Sequence, residues 1–447
     1  MSKTVRKQLL NSIEWMNRAA LQIAEVGETK RPYFLQALQE HAVALGTRIE
    51  ALKGLDTQSV PVLEEICEAI YETSMADAQS CGDAIAHLLA LITNLREVFA
   101  EEFPDLTEVV FLPYNLAMWD SLESVWRKYA SDPQVECHVI PIPYYEKDPQ
   151  GNYKDVHYDG PDYPKDVPVE DYREYDLRLH HPDMIFIHNP YDQCNHVTTV
   201  PTEYFSCYIK DYTEKLIYIP YFVLNEIDPQ NQKAIDGMKH FCYTPGTIFA
   251  DEVWLQSENM RQIYIKEYAI AAVMHGREIN PQELYRRFVA YGSPKYDKLF
   301  EARERALRDE LEIPDDWKPV LYREDGTKRK TVLYNISLSA MLQHSDKMLD
   351  KIRRVLQTFY ENREDIALLW RPHPLYLQTI ESMQPELRDG YLQIVNRYRE
   401  EKWGIYDESA ELDRALVVAD AYYGDQSSLV ALCKELKIPI MLEDIEV

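Results

Sequence analysis

None of the seven cysteines stands in a CxxC pair. That spacing argues against a zinc site and a disulfide framework, and it fits a reducing compartment. Basic charge is scarce: 48 Lys and Arg stand against 75 Asp and Glu, a formal charge of -27. Such a surface repels nucleic acid and anionic lipid, and leaves room only for a local basic pocket. No apolar run approaches the roughly 18 residues of a membrane span. The opening MSKTVRKQLLNSIEW has no continuous apolar core of the kind a signal peptide carries. The expectation is a cytoplasmic chain with no transmembrane segment and no nucleic-acid partner.

What is present is globular: 46% hydrophobic and 28% charged over 447 residues, enough for two or three cores. Residues 1–103 show helical spacing (Leu9, Ile13, Met16, Ala20; then Phe34, Leu38, Leu45; then Ile85, Leu88, Ile92, Leu95). They predict three to five helices used for packing or oligomerisation. From residue 107 apolar runs alternate with helical stretches: TEVVFLP, VECHVIPIP, DMIFIHNP, KLIYIPYF and DEVWLQS. A second series follows Lys330: KTVLYNIS, DIALLWRPHP, DAYYGD and IPIMLE. Such alternation predicts parallel strands with crossover helices. The fold class is therefore α/β, two doubly wound halves at 104–315 and 316–447, preceded by the helical region. A Tyr-, Asp- and Pro-rich insertion spans about 144–181; loops of that length commonly serve as lids or binding loops.

Open parallel sheets bind ligands beyond the carboxyl ends of their strands. Two motifs of the second half fall there. Arg371-Pro372-His373-Pro374 follows the strand IALLW, and its prolines stiffen a turn carrying a guanidinium and an imidazole. Gly424-Asp425-Gln426-Ser427-Ser428 lies between a strand and a helix, where backbone N–H groups and hydroxyls form an anion site. Asp425 either orients His373 or caps the helix. Alone, each reads as a rigid turn or an ordinary cap; in this order within one αβ half they predict a diphosphate site.

The arrangement resembles the CDP-glycerol glycerophosphotransferases, the teichoic-acid glycerophosphotransferase-like family of glycosyltransferase-B fold. The resemblance rests on Gly292-Ser293-Pro294-Lys295-Tyr296-Asp297, on RPHP at 371–374, and on Asp420 to Ser428. It implies two Rossmann-like halves, a nucleotide-diphosphate donor such as CDP-glycerol, and a hydroxyl acceptor in cell-wall or surface-polymer synthesis. Arg371, His373, Ser427 and Ser428 would then contact the donor diphosphate, supported by Asp425. Two departures stand out. Lys295 replaces the family's arginine, and Pro220-Tyr221 stands where the family carries a His-Gly pair, its presumed base. His275-Gly276 ends a helical stretch and is not equated with that pair.

Another base is therefore needed. His188 follows the strand DMIF, with Asp192 close enough in sequence to orient it; the pair is the candidate catalytic base, a structural turn histidine being the alternative. His180, His181 and Asp183 suggest a metal only on paper, and neither metal nor cofactor is expected. Two other readings remain: a nucleotide-sugar glycosyltransferase of the same fold, and a non-catalytic nucleotide-binding or assembly protein.

Overall fold

The computed structural model describes residues 3–77 and 79–443. They form two compact units. One runs up to Thr107 and includes Asp176–Pro182; the other holds Glu108–Tyr175 and the chain from Asp183 onward. The first unit consists of α1 (Lys3–Glu25), α2 (Arg31–Lys53), α3 (Ser59–Met75) and α4 (Cys81–Glu102). Leu9, Ile13, Met16, Ala20 and Ile23 on α1, and Leu35, Leu38, Ala42, Leu45 and Ile49 on α2, recur at three- and four-residue steps. All are buried in one core. A 3.6-residue period turns such spacing into a single apolar stripe per helix. Among the described residues no helix is long and apolar enough to cross a membrane.

The second unit contains three sheets. Its strands are β1 (Thr107–Leu112), β2 (Val135–Val139), β3 (Tyr144–Lys147), β4 (Tyr153–His157), β5 (Met184–Ile187), β6 (Thr198–Thr199) and β7 (Lys215–Tyr218). They continue with β8 (Glu252–Leu255), β9 (Phe288–Ala290), β10 (Lys330–Asn335), β11 (Ile366–Trp370), β12 (Ile405–Tyr406), β13 (Ala421–Gly424) and β14 (Ile440–Leu442). One six-stranded sheet has the order β2-β1-β5-β7-β8-β9, and a five-stranded sheet the order β12-β11-β10-β13-β14. The neighbours β1–β5, β5–β7, β7–β8 and β8–β9 are parallel, as are all neighbours in the five-stranded sheet. This is an α/β architecture, two doubly wound parallel sheets after a helical region. Within residues 144–181 the chain forms β3 and β4, which join β6 in a small antiparallel sheet.

Side-chain alternation explains the five-stranded sheet. Val332, Tyr334, Leu368 and Trp370 face one apolar layer, while Leu333, Leu369 and Tyr422 face the other. Both faces are covered, as a parallel sheet requires. From β10 the chain first adds β11 and β12 on one side, then crosses to β13 and β14 on the other. The connections leaving β10 and β13 therefore diverge and open a crevice at their carboxyl ends.

Helix α5 (Pro294–Leu307) serves both halves. Leu299 and Ala302 are buried in the core of the five-stranded sheet. Its polar face meets the chain after β1: Ser124 donates to Asp297 at 2.7 Å and Lys298 to Glu123 at 2.7 Å.

Candidate functional site

The crevice begins with a close backbone approach. Asn335 on β10 pairs with Gly424 on β13. Gly424 has φ +139°, and a Cβ there would lie 2.0 Å from the Asn335 carbonyl oxygen. Only glycine fits both the conformation and the space. Gly424→Ala is expected to cost more than about 3 kcal/mol of stability. Urea denaturation checks this; a wild-type midpoint would mean that the two strands part easily.

Asp425 follows and locks this corner. One oxygen accepts from Lys351 Nζ at 2.6 Å and the other from the Ser337 amide at 2.8 Å. Its backbone N–H donates to Asn335, and its carbonyl accepts from the Tyr422 hydroxyl. The carboxylate thus neither orients His373 nor caps the following helix. It ties the end of β13 to the end of β10, because a buried lysine and an unpaired amide both claim it. Helix α6 (Ser428–Glu435) starts immediately afterwards, with Ser427 at its N-cap and no side chain capping its first turn.

Arg371 leaves β11 at the same edge, its amide bonded to the Tyr334 carbonyl and its own carbonyl accepting from Asn335. The guanidinium donates to Asp407 and, at 2.6 Å, to the Ser409 carbonyl. Both Arg371 and Asp407 are buried. Two of the terminal nitrogens expected to grip a phosphate are therefore already held, and a ligand would meet a partly neutralised cation. His373, held between two prolines, accepts the Leu375 amide on Nδ1 at 3.1 Å. Burial, and then the nearby Lys295 charge, push its pKa down to about 4. The ring is neutral near pH 7, and with Nδ1 accepting, its proton sits on Nε2 as a donor.

Lys295 was legible only as a departure from a motif. Partly buried at the start of α5, it reaches both oxygens of Asp120 at 2.5 and 2.6 Å. That partner lies 175 residues away in sequence, so no local pattern could have announced the pair. Arg371, His373, Ser427 and Ser428 line one cavity of about 490 Å³ together with Lys295, Asn335 and Ser337. Opposite them it is walled by aromatic groups of the first half, where Phe222 packs on Phe241 with ring centres 4.5 Å apart. Among the described residues no Asp or Glu lines this cavity, although the chain carries 75 of them.

The expected base sits elsewhere. His188 is fully buried beside the connection after β1. Nε2 accepts the Tyr114 amide at 3.1 Å, and Nδ1 lies 3.0 Å from the Ser121 hydroxyl and 3.3 Å from the Met118 carbonyl. With Nε2 accepting, Nδ1 carries the proton and donates. Burial holds the ring's pKa down at about 3. Asp192 does not orient it; that carboxylate accepts from the Ser206 amide at 2.9 Å and hydroxyl at 2.5 Å. A separation of four residues did not bring the two side chains together, because Asp192 turns away in a left-handed conformation (φ +46°).

Residues 233–441 match the model of the CDP-Glycerol:Poly(glycerophosphate) glycerophosphotransferase family. Over those residues the chain is similar to this family. The matched stretch covers the segments 292–297, 371–374 and 420–428, and with them Lys295, Arg371, His373, Asp425 and both serines. His188 and Asp192 lie before it. No curated protein sequence matches the chain. Among solved structures, similarity extends to the S. aureus MnaA–UDP complex at 8% identity and TM-score 0.46, covering 75% of this chain and 79% of that one. A putative UDP-N-acetylglucosamine 2-epimerase from Listeria monocytogenes is 12% identical over 75% of this chain and 79% of its own, with TM-score 0.42. A variant of the wall teichoic acid polymerase TagF is 11% identical over 82% of this chain and 79% of its own, with TM-score 0.40.

Proposed function

We propose that this protein is a transferase of the CDP-glycerol type, which moves a glycerophosphate group from a nucleotide-diphosphate donor to an acceptor hydroxyl in cell-wall polymer synthesis. The observation that carries this reading is a cavity lined by no Asp or Glu among the described residues of a strongly acidic chain. Its lining offers Lys295, Arg371, the His373 Nε2–H, two serine hydroxyls and the uncapped start of α6. Those groups suit a diphosphate, and the aromatic wall opposite suits a nucleobase.

In the reaction, the acceptor oxygen forms a bond to the phosphorus that bears glycerol. The bond from that phosphorus to the bridging oxygen breaks, CMP leaves with the electron pair, and the proton of the acceptor hydroxyl passes to solvent. Negative charge grows on the bridging oxygen, where fixed donors act in a partly dry site and need no reorganisation. Lys295 and the His373 Nε2–H are the donors assigned to it. The free state of all seven cysteines accords with a cytoplasmic site for the reaction.

The test is a thermal-shift series with CDP-glycerol, CDP-ribitol, UDP-N-acetylglucosamine and a GDP-sugar, with product analysis for CMP. A donor at 100 times its Kd is expected to stabilise the fold by about 2.7 kcal/mol. CDP-glycerol should give that shift and release CMP in the presence of acceptor. Protection by a UDP- or GDP-sugar alone would replace the reading with a sugar transferase. Binding of CDP-glycerol with no CMP formed under any acceptor would replace it with a nucleotide-binding protein.

A further inference from the structure

The RPHP turn has a second side. Arg371, Pro372, His373 and Pro374 also border a separate cavity of about 370 Å³. Its charge is of the opposite kind. Asp159, Asp162, Asp407 and Glu408 line it, and among the described residues Arg371 is the one Lys or Arg of the lining. Arg371 pairs with Asp407, and Arg399 pairs with Glu408 from outside the lining. The charge facing the cavity therefore rests on Asp159 and Asp162. Asp159 is fixed by the Leu116 amide at 2.9 Å. Burial, and less strongly the Asp162 charge, raise its pKa above the ordinary carboxylate range.

The remaining walls are aromatic. Tyr144 is stacked on His157, and Tyr376 packs against Tyr391 at 5.1 Å. Tyr376 is 1% exposed, and its hydroxyl has no hydrogen-bond partner among the described residues. The side-chain oxygen of Gln378, also in the lining, is buried and unpartnered too. Buried polar groups left unsatisfied in a native fold call for a specific explanation.

We propose that this acidic, tyrosine-walled cavity is the acceptor subsite, and that it takes an uncharged polyhydroxylated terminus, a sugar or polyol, in preference to a phosphate-bearing one. Carboxylates, the Gln378 oxygen and the Tyr376 hydroxyl match the donors and acceptors of vicinal hydroxyls. Tyrosine rings cover the C–H faces of such a ligand while keeping polar tips available. A phosphate placed there meets Asp159 and Asp162 without a free cation to balance it, and like charges at close range in a partly buried site are repelled. The shared turn would bring an acceptor hydroxyl beside the donor phosphorus. The inference rests on the first cavity being the donor site.

The experiment uses the full chain and ligand-observed NMR. Glycerol, glucose and cellobiose are titrated against glycerol 3-phosphate and glucose 6-phosphate, with CDP-glycerol measured in parallel. At least one neutral probe is expected to bind in the millimolar range, and phosphorylated probes at least about tenfold more weakly. Tyr376→Phe keeps the packed ring and should weaken the neutral probe about fivefold, the loss of one hydrogen bond, with CDP-glycerol unaffected. Asp162→Lys, on the exposed rim, should narrow the gap between neutral and phosphorylated probes about tenfold. Equal or tighter binding of the phosphorylated probes overturns the proposal, as does binding of CDP-glycerol with no neutral probe bound. Neutral probes bound with the phosphate penalty, but no CDP-glycerol, would keep the polyol subsite and remove the donor reading instead.

Discussion

His373→Ala is expected to slow transfer from CDP-glycerol by about 10²–10³-fold, the usual loss when one fixed donor to a developing oxyanion is removed. The expectation follows from the ring's tautomer. Nδ1 is occupied by the Leu375 amide, and burial with Lys295 nearby keeps the ring neutral down to about pH 4. One N–H therefore remains, on Nε2, in a turn that Pro372 and Pro374 stiffen. His373→Gln should recover part of the rate if its amide reaches the same position. CMP release under saturating donor measures the effect, and calorimetry of CDP-glycerol separates it from binding. A wild-type rate in the alanine variant would return the histidine to a turn-forming role.

His188→Ala is expected to destabilise the second unit by about 3–5 kcal/mol. The buried Tyr114 amide loses its acceptor and Ser121 loses a partner, each at about 1–3 kcal/mol, and a cavity opens. His188→Gln, which can still accept from Tyr114, should lose less. The pH dependence identifies the cause. Unfolded, a histidine binds a proton near pH 6.5; folded, His188 does so only near 3. Between those values the unfolded chain holds the extra proton, so stability falls as pH drops. His373 acts in the same direction, down to about pH 4. Asp192 opposes them: burial raises its pKa from 3.8 to about 6, so its contribution is present at low pH and is lost as pH rises through 6. Urea titrations from pH 7 to pH 4 should therefore show a shallower acid loss in His188→Gln than in the wild type. An unchanged slope, or full stability in His188→Ala with turnover selectively lost, would restore His188 as the catalytic base.

The two cases mark where local pattern was informative. Strands such as KTVLYN and IALLW were legible because they are apolar on both faces, as buried parallel strands must be. The α1–α4 stripes were legible through their 3.6-residue period. β9, three residues long, and β12, two residues long, carry too few side chains to show any period. The role of Asp425 was misread because its claimants, Lys351 and the Ser337 amide, are far away in sequence.

By itself the sequence determined the α/β class, the helical region before it, and which strand ends of the second half border the crevice. These follow from periodicity, and from the rule that open parallel sheets bind at their carboxyl edges. It also placed Arg371, His373, Ser427 and Ser428 together, since motifs at the ends of strands in one sheet share an edge. Tertiary structure alone decided which of their atoms remain available. It gave Arg371 to Asp407, His188 to Tyr114 and Ser121, Asp192 to Ser206, and Lys295 to Asp120. It also set a cavity lined by no Asp or Glu among the described residues beside an acidic one that shares its Arg371–Pro374 turn. The physical reason is the same throughout. A buried charge or imidazole takes whichever partner the fold brings within about 3 Å, because leaving it unpaired away from water costs more than any local preference.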